Sequence, residues 1–278
     1  MGLIRRHIVS LRRILPILAM VLPIFVGALR ADENTPFSPD YLNRVWNDAL
    51  ELPTLPFHFD GKEWAITGGI TAATVVALTA DGEIREYFDK HRNNFSDSLS
   101  RYTTHFGDYH YQLPIQVGAW ALGSAFGYAP LKKSAADGME ASLLAAGIVT
   151  PLFTRISGRE LPSSHRRPLL FQPFKRGHPG RESFPSGHTT EAFAVATVFD
   201  VNFREEFGYW QTPFLYALAA STGASRIYDQ KHFLSDVILG AGIGWSIGRW
   251  ISDKPRNASA PRFSLAPSLN GIVVSWTF

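Results

Sequence analysis

The part of the chain that decides its fold is a polar stretch between two uncharged segments, and it reads Ser225-Arg226-Ile227-Tyr228-Asp229-Gln230-Lys231-His232-Phe233-Leu234-Ser235-Asp236. The flanking segments, Gln211–Ser225 and Val237–Gly248, are long enough for helices and show no strand-type alternation. If the polar stretch is also helical, His232 and Asp236 share a face, because they are four residues apart. The sequence therefore predicts two helices that meet at a polar junction.

The side chains of this junction suit the binding and transfer of an anionic group. A carboxylate near a histidine can hold one ring nitrogen and leave the other free as a nucleophile or base. Arg226 offers a planar, permanently charged fork that matches phosphate oxygens. Two other interpretations stay open: an incidental His/Asp pair on a surface helix, and a metal site. A metal needs a third strong ligand, and none is obvious nearby.

A second cluster, Pro185-Ser186-Gly187-His188, precedes a segment that we predict to be a helix from Thr189 to Phe203. Ser186 can cap this helix, and Gly187 allows the backbone to approach a ligand closely. The free amide groups of a first helical turn attract an anion, and His188 would lie beside it. The alternative is an ordinary capped helix start with an incidental histidine.

The rest of the chain repeats the pattern of uncharged segments rich in Ala, Gly and Leu, separated by charged ones. Because none alternates, the predicted fold class is all-α, a bundle of about six core helices. Only one segment reaches the roughly 20 residues that a membrane span needs, and Gly and Pro dilute it. Buried bundle helices are therefore favoured over six spans, and partial embedding in a membrane stays open. The segments are Trp64–Ala80, Tyr111–Leu131, Ala141–Thr154, Ala192–Phe199, Gln211–Ser225 and Val237–Gly248.

Residues 1–31 have the layout of an export signal. A basic region from Arg5 to Arg13 precedes the apolar run Ile14–Leu29, and small residues follow at Ala28 and Ala31. Two prolines make the run a poor long helix, which favours a cleaved signal over the alternative, an uncleaved anchor. We therefore expect an exported protein, periplasmic or membrane-associated, with its active site facing the periplasm.

The composition excludes several classes of protein. A chain of 278 residues can bury a full core, and the absence of cysteine excludes disulfides, thiolate metal sites and cysteine nucleophiles. The net charge of +3 arises in residues 1–31, and the remaining residues carry 22 basic and 24 acidic side chains. A near-neutral body gives no reason to expect a nucleic-acid partner.

The chain divides into four predicted regions. A signal peptide or anchor occupies 1–31, and an irregular lead-in with one short helix near Tyr41–Leu50 occupies 32–62. The main domain covers 63–252. Residues 253–278 form a linker and a short β-hairpin, because Asn270-Gly271 is a strong turn dipeptide followed by a strand-like run.

Together the two polar clusters resemble the type 2 phosphatidic acid phosphatase (PAP2) superfamily, which includes bacterial acid phosphatases, lipid phosphatases and vanadium haloperoxidases. Its second motif, Pro-Ser-Gly-His, is met by Pro185–His188. Its third motif is Ser-Arg, five residues, His, three residues, Asp, and Ser225–Asp236 satisfies it fully. Because both motifs occur in the expected order and each lies beside an apolar segment, the joint match is specific. The resemblance covers about Trp64 to Trp250.

The family's first motif, Lys, six residues, then Arg-Pro, is where the sequence departs. In the register that ends at Pro162, Thr154 and Leu161 occupy the positions of the two phosphate-binding cations. Loss of these cations puts phosphate affinity and rate in question. Arginines nearby can take their place as substrate-binding residues, and they are Arg155, Arg159, Arg166 and Arg167.

The resemblance implies a phosphatase that needs no metal or other cofactor. His232 attacks phosphorus and forms a phosphohistidine, Asp236 orients its ring, and His188 protonates the leaving oxygen and then activates water. Because this acid must start protonated, we expect an optimum at or below neutral pH. The phosphoryl oxygens are held by groups from both motifs: Ser186, Gly187, Ser225 and Arg226.

The expected partner is a phosphorylated small molecule or, with modest preference, a membrane lipid. Candidates are phosphatidate, phosphatidylglycerophosphate, an isoprenyl diphosphate and a lipid A phosphate, because apolar segments and an export signal favour a lipid. Three alternatives stay open: a soluble acid phosphatase of broad specificity, a vanadate-dependent haloperoxidase, and an impaired anion-binding homologue. The last is suggested by Thr154 and Leu161.

Overall fold

The computed structural model describes residues 34–163, 168–174 and 182–254, and the backbone of residues 262–268 and 271–277. Within these residues the α-helices are α1 (Pro39–Glu51), α2 (Gly61–Lys90), α3 (Asn94–Thr103), α4 (Tyr109–Ala125), α5 (Ala129–Ser142), α6 (Thr150–Ser157), α7 (Gly187–Asn202), α8 (Arg204–Phe207), α9 (Gln211–Tyr228) and α10 (Leu234–Asp253). Two 3₁₀ segments, Leu52–His58 and Thr104–Gly107, and a π-helical segment, Leu143–Val149, lie between them.

The predicted all-α fold class is confirmed, whereas two of the predicted segments have other bounds in the structure. The predicted segment Tyr111–Leu131 is not one helix, because α4 ends at Ala125 and the chain turns at Gly127, whose φ is 64°. A left-handed backbone of this kind favours glycine and ends a helix. In contrast, the π-helical segment joins α5 to α6 without a break, so Ala129–Ser157 is one helix of 29 residues.

The contact between α7 and α10 forms the centre of the bundle. The two backbones lie close together because glycines of α10 face α7. A side chain at Gly244 would collide with the carbonyl oxygen of Thr190, and a Cβ at Gly240 would lie 2.7 Å from the carbonyl oxygen of Ser186. These contacts hold the first turns of α7 and α10 side by side, which is where the site forms.

The long helix α2 lies antiparallel to α10. Ile70 contacts α10 at Gly242, whereas Asp81 lies at the start of α10 and accepts a hydrogen bond of 2.9 Å from the Ser235 amide. The Lys90 end of α2 therefore lies at the same end of the bundle as the first turns of α7 and α10. Its Gly61 end lies at the opposite end.

The predicted lead-in contains the short helix expected near Tyr41–Leu50, observed as α1, and the 3₁₀ segment Leu52–His58 follows where irregular backbone was expected. Helix α1 begins after Ser38, whose hydroxyl oxygen accepts a hydrogen bond of 3.1 Å from the Tyr41 amide. The Tyr41 hydroxyl donates to the Ala136 carbonyl at 3.0 Å, and Lys254 donates to Glu51 at 2.5 Å. Apolar side chains of α1 join the main buried cluster, which contains Tyr41, Val45, Ala136, Ala141, Leu144, Ala145, Ala194, Val198, Ile247 and Ile251.

The C-terminal region contains two paired strands. The backbone of β1 (Arg262–Ser268) runs antiparallel to that of β2 (Gly271–Thr277), with Ser268 opposite Gly271. The predicted turn residue Asn270 lies outside the described residues, as does the predicted signal segment 1–31.

Among the residues that the structure describes, two helices are long and apolar enough to cross a membrane, α2 and the continuous helix Ala129–Ser157. Only 17% of the most apolar window of α2 is buried, and 33% of that of the second helix. They therefore differ from the buried bundle helices that the sequence favoured, because most of their apolar surface faces outward.

Candidate active site

Arg226 and His232 are brought together by the turn that ends α9. Arg226 lies in the last two turns of this helix, and its carbonyl oxygen accepts hydrogen bonds from the amides of Lys231 (3.0 Å) and His232 (3.1 Å). Gln230 adopts a positive φ of 56° within the turn. His232 therefore precedes α10 and does not share a helical face with Asp236, in contrast to the prediction.

The ring of His232 is held by a backbone carbonyl. Its Nδ1 lies 2.7 Å from the carbonyl oxygen of Ser183 and 3.7 Å from Oδ2 of Asp236. Because a carbonyl oxygen can only accept, Nδ1 carries the proton, and Nε2 of the neutral ring keeps a free lone pair. His232 is 7% exposed, and its Nε2 has no hydrogen-bond partner among the described residues. This is the tautomer that a histidine nucleophile needs.

Asp236 supports this arrangement from behind the ring. Its Oδ2 accepts hydrogen bonds from the Phe233 amide at 2.7 Å and from the Ser183 hydroxyl. Its Oδ1 accepts from Arg159. The predicted role of orienting His232 thus takes an indirect route, because Asp236 fixes Ser183 and Ser183 holds the ring.

The second motif forms the start of α7, as the sequence predicts. Ser186 is the N-cap residue: its hydroxyl oxygen accepts from the Thr189 amide at 3.4 Å and from the Thr189 hydroxyl at 2.9 Å. The Ser186 amide donates to the backbone carbonyl of Asp236 at 3.0 Å. Gly187 and His188 follow as the first two helical residues, whose amides have no acceptor within a helix.

The first turns of α7 and α10 lie side by side at one end of the bundle. The first amides of α7 have no helical acceptor, and together with the positive end of its dipole they favour an anion. At the start of α10 the amides of Phe233 and Ser235 instead donate to Asp236 and Asp81. We call the group formed by Gly187, His188, Arg226 and His232 the anion cradle.

The surroundings of His188 in the anion cradle change its pKa. Burial, together with the charges of Arg226 and His232, lowers its pKa to about 4, and Asp108 opposes the shift. Both side chains affect the pKa of His188 because they lie close to it. Without an anion His188 is therefore neutral at pH 7, and a bound phosphate would favour its protonated form.

Arg226 is the cation of the anion cradle. Its Nη1 donates to the Thr104 hydroxyl at 2.8 Å, and no carboxylate of the described residues lies within 4 Å of its guanidinium. Its Nε is buried and has no hydrogen-bond partner in the same residues. Burial lowers its pKa, and Asp229 and Asp108 oppose this shift. An unpaired, partly buried guanidinium of this kind is suited to receive phosphate oxygens.

The segment Thr104–Asp108 also borders the site, although it belongs to neither sequence motif. Gly107 packs so closely on the backbone of His188 that a side chain there would collide with the His188 carbonyl. Asp108 caps α4 and accepts a hydrogen bond of 2.9 Å from His110 Nδ1. Burial raises the pKa of Asp108, but hydrogen bonds from His110 and the nearby His188 outweigh this and lower it overall. An aspartate at this position is typical of a helix N-cap, but nothing in the sequence predicts that it lies near His188.

Arg159 does not lie free in the site, in contrast to its predicted role as a phosphate ligand. Its side chain is 0% exposed, and all five of its N–H donors are used. They bind Asp81, Asp236, the Ser235 hydroxyl and the Pro168 carbonyl. A guanidinium committed in this way has no donor left for a substrate.

The remaining predicted residues have other surroundings. Arg155 is exposed on α6, and no hydrogen bond of the described residues joins its side chain to the anion cradle. The Ser225 hydroxyl is buried and donates to the Thr222 carbonyl at 2.7 Å, so it stabilises α9. Arg166 and Arg167 lie outside the described residues.

Metal binding has no support in the described part of the chain, where no group of three or more His, Asp or Glu side chains could hold an ion. Activity without a metal or other cofactor stays a prediction.

The family follows from a match to known sequences. Residues 139–259 match the model of the PAP2 superfamily, and this region contains both motifs and the anion cradle. This matched region belongs to the PAP2 superfamily.

Several curated relatives share part of the sequence. The chain is 43% identical over 74 residues to a lipid A 1-phosphatase of Porphyromonas gingivalis, which covers 26% of this chain and 16% of that protein. It is 31% identical over 159 residues to a lipid A 1-phosphatase of Rhizobium etli, which covers 52% of this chain and 66% of that protein. The matches thus span less than two thirds of these relatives.

Two solved structures are similar at low identity. One is a transmembrane PAP2 type phosphatidylglycerolphosphate phosphatase from Bacillus subtilis, with 18% identity, a TM-score of 0.48 and coverage of 66% of this chain and 92% of that chain. The other is LpxE from Aquifex aeolicus, with 22% identity, a TM-score of 0.45 and coverage of 61% and 92%.

Proposed function

We propose that this protein is a phosphatase that removes a phosphoryl group from a membrane lipid through a phosphohistidine on His232. The observation that carries the proposal is the Nδ1 contact of His232 with the Ser183 carbonyl, which leaves Nε2 free beside Arg226 and His188. The names of the curated relatives support phosphate removal from a lipid.

In the first step, Nε2 of His232 attacks phosphorus, and the bond from phosphorus to the ester oxygen breaks. His188 gives its proton to the leaving oxygen, so an alcohol departs. Arg226 and the amides of Gly187 and His188 hold the phosphoryl oxygens while charge moves onto them.

In the second step, water attacks the phosphohistidine. His188, now neutral, takes a proton from this water, and the bond between phosphorus and Nε2 breaks. The products are inorganic phosphate and the alcohol, and both histidines return to their starting states.

The surface next to the site supports a lipid substrate. Helix α3 follows the Lys90 end of α2 and contacts α9 next to Arg226, where the Ser100 hydroxyl donates to the Ser225 carbonyl at 3.5 Å. Phe95, Leu99 and Tyr102 lie on its outer side at helical spacing and are 76%, 50% and 70% exposed. An amphipathic helix with an exposed aromatic face is typical of a membrane surface.

The side of the membrane that the site faces is a separate question. The Gly61 end of α2 lies away from the site, and α1 lies at that end too, because Lys254 at the end of α10 binds Glu51. If an export signal carries α1 outward and α2 then crosses the membrane once, the site returns to the inner side. A site facing the periplasm, as we propose, requires that the Gly61 end starts inside or that the whole bundle stays outside.

Labelling of single cysteines separates these arrangements, because the chain has no cysteine of its own. A Lys90→Cys variant should react with a membrane-impermeant maleimide in intact cells if the site faces the periplasm. A Lys62→Cys variant reacts as well if the bundle stays outside, and is protected if α2 crosses the membrane. Protection of Lys90→Cys with labelling of Lys62→Cys would contradict a periplasmic site.

Replacement of the nucleophile tests the proposed reaction. His232→Ala should abolish release of phosphate from p-nitrophenyl phosphate and from detergent-dispersed phosphatidate or lipid A, while the folded protein remains. Full activity of this variant would contradict the phosphohistidine mechanism. His58→Ala serves as a matched control, because His58 is exposed, its ring nitrogen contacts the Thr54 carbonyl, and it lies outside the anion cradle.

Replacement of the apolar side chains of α3 tests the substrate class. A Phe95→Ser/Leu99→Ser/Tyr102→Ser variant should lose at least about fivefold in kcat/KM on a vesicle-dispersed lipid phosphate and keep its activity on p-nitrophenyl phosphate. Unchanged kcat/KM on the lipid phosphate would contradict a lipid-binding role for this face and favour the soluble acid phosphatase instead.

A further inference from the structure

A buried group of charges lies behind His232 and takes no part in the chemical steps. Arg159 lies between two carboxylates, because its Nη2 donates to Oδ2 of Asp81 at 2.6 Å and its Nη1 to Oδ1 of Asp236. All three side chains are fully buried. We call these residues, together with Ser235, the charge hub.

Ser235 closes the charge hub on the side of α2. Its hydroxyl accepts a hydrogen bond of 2.7 Å from Arg159 and donates one of 2.6 Å to Asp81, and its amide donates to the other oxygen of Asp81 at 2.9 Å. Both oxygens of Asp81 and all donors of Arg159 are therefore occupied. A network satisfied to this degree has one geometry and resists displacement.

Ser183 connects the charge hub to the nucleophile. Its amide donates to the Arg159 carbonyl at 3.1 Å, and its hydroxyl donates to Asp236. Its carbonyl oxygen is the acceptor for Nδ1 of His232. The place of that carbonyl, and with it the direction of Nε2, is thus set by the backbone of Arg159 and by a carboxylate that the Arg159 side chain holds.

Three aromatic rings make an arginine the fitting cation. The guanidinium carbon lies 4.2 Å from the ring centre of Phe233, 5.1 Å from that of Phe171 and 5.8 Å from that of Phe184. A planar guanidinium can stack on rings and bridge two carboxylates, whereas an ammonium has a single nitrogen with three donors. Lysine would keep the charge and lose this geometry.

We propose that Arg159 and Asp81 are positioning residues, which aim Nε2 of His232 at the bound phosphoryl group through Asp236 and Ser183. This inference rests on the proposed function. It adds Asp81, which lies outside the family motifs quoted above, and gives a role to Arg159, which occupies an unspecified position of the first motif. It also separates the two arginines: Arg226 binds the anion, whereas Arg159 sets the angle and distance of attack.

Two matched substitutions, Arg159→Lys and Arg226→Lys, test the proposal in the full chain in detergent micelles. Calorimetry with orthophosphate gives the dissociation constant and the number of intact sites. Single-turnover release of p-nitrophenol, with enzyme in excess, gives the rate of phosphoryl transfer to His232. These two measurements separate binding, active fraction and chemistry.

For Arg159→Lys we expect one phosphate site per chain, a dissociation constant within about twofold of the wild type, and a rate of phosphoryl transfer at least about tenfold lower. For Arg226→Lys we expect the dissociation constant to rise at least about tenfold. The proposal is overturned if Arg159→Lys weakens phosphate binding as much as Arg226→Lys. It is also overturned if the rate of phosphoryl transfer in Arg159→Lys is unchanged. The same holds if this variant loses intact phosphate sites but keeps the wild-type rate at each remaining site.

Milder variants keep the test open if Arg159→Lys does not fold. Asp81→Asn preserves shape and should slow phosphoryl transfer with phosphate binding unchanged. Tighter phosphate binding in Asp81→Asn would mean that the freed Arg159 reaches the anion, which contradicts the proposal. Ser183→Ala removes only the hydroxyl that holds Asp236 and should lower the rate about threefold to tenfold.

A double variant shows whether these residues act along one chain of contacts. The losses of Asp81→Asn and Ser183→Ala should not add, because each disturbs the same carbonyl. Independent, additive losses would contradict a common path. Failure of the proposed function has a different signature, since His232→Ala would then retain turnover whatever the charge hub does.

Discussion

The anion cradle and the charge hub each contain one arginine, and the two arginines have opposite surroundings. Arg226 has a single side-chain partner, Thr104, and no carboxylate of the described residues within 4 Å. Arg159 has every donor bound and two carboxylates in contact. The comparison shows that an arginine can be assigned as a phosphate ligand from its unused hydrogen-bond donors. Closeness in sequence to a motif is not enough.

The difference has a consequence for stability. A charge pair that is fully buried is weak evidence of net stabilisation, but removing one partner leaves the other without compensation. An unpaired, partly exposed cation has no such partner to leave behind. Loss of Arg226 should therefore lower turnover, whereas loss of Arg159 should lower both turnover and the free energy of unfolding.

The largest effect on activity is expected for the cradle arginine. Arg226→Ala should lower kcat/KM on p-nitrophenyl phosphate about a thousandfold, roughly 4 kcal/mol of transition-state stabilisation. Steady-state kinetics check this value. Activity within about tenfold of the wild type would mean that other cations bind the phosphoryl group and that the comparison between the arginines fails.

The next effect concerns the free energy of unfolding. Arg159→Ala should lower it by about 3–5 kcal/mol, because Asp81 and Asp236 would remain as buried, uncompensated carboxylates. Arg226→Ala should lower it less, by at most about 1.5–3 kcal/mol, the value of one hydrogen bond that involves a charged group. Denaturant unfolding followed by tryptophan fluorescence measures both values. Equal losses of free energy in the two variants would contradict the proposed difference between Arg159 and Arg226.

A smaller effect is expected in the pH dependence. The pKa of His188 is about 4 in the empty site, below its ordinary value of 6.5, so the free enzyme loses the proton of its acid as pH rises above about 4. With an alkyl phosphate, kcat/KM should therefore fall above that pH, whereas kcat should persist to higher pH, because the bound phosphate favours protonated His188.

Arg226→Gln sharpens this test, since it removes one of the charges that lower the pKa of His188. The falling limb of kcat/KM should move to higher pH in this variant. A limb at the same pH in both proteins would show that another group controls it.

The sequence identifies the anion cradle because its contacts are local. The cap of Ser186 on α7 and the turn from Arg226 to His232 involve residues only a few positions apart, so spacing and residue type specify them. The close approach of α7 and α10 follows the same logic, since glycines on α10 permit it.

The charge hub could not be found in this way, because its contacts join distant positions. Asp81 is 78 residues from Arg159, and its place in the sequence is that of a polar residue ending an apolar segment. Ser183 acts through its carbonyl, a group that every residue has. Arg159 lies between the two cation positions of the expected first motif, and this position alone predicted a phosphate ligand, whereas in the fold its side chain is buried and fully hydrogen-bonded.

The central claim is that His232 carries the phosphoryl group, and trapping of that intermediate tests it most directly. In a His188→Ala variant, p-nitrophenyl phosphate still has a good leaving group, but the water that attacks the intermediate lacks its base. Mass spectrometry under alkaline conditions should then find phosphate on His232, and none in the His188→Ala/His232→Ala double variant. Phosphate on another residue, or turnover by His188→Ala/His232→Ala without a bound intermediate, would contradict the account.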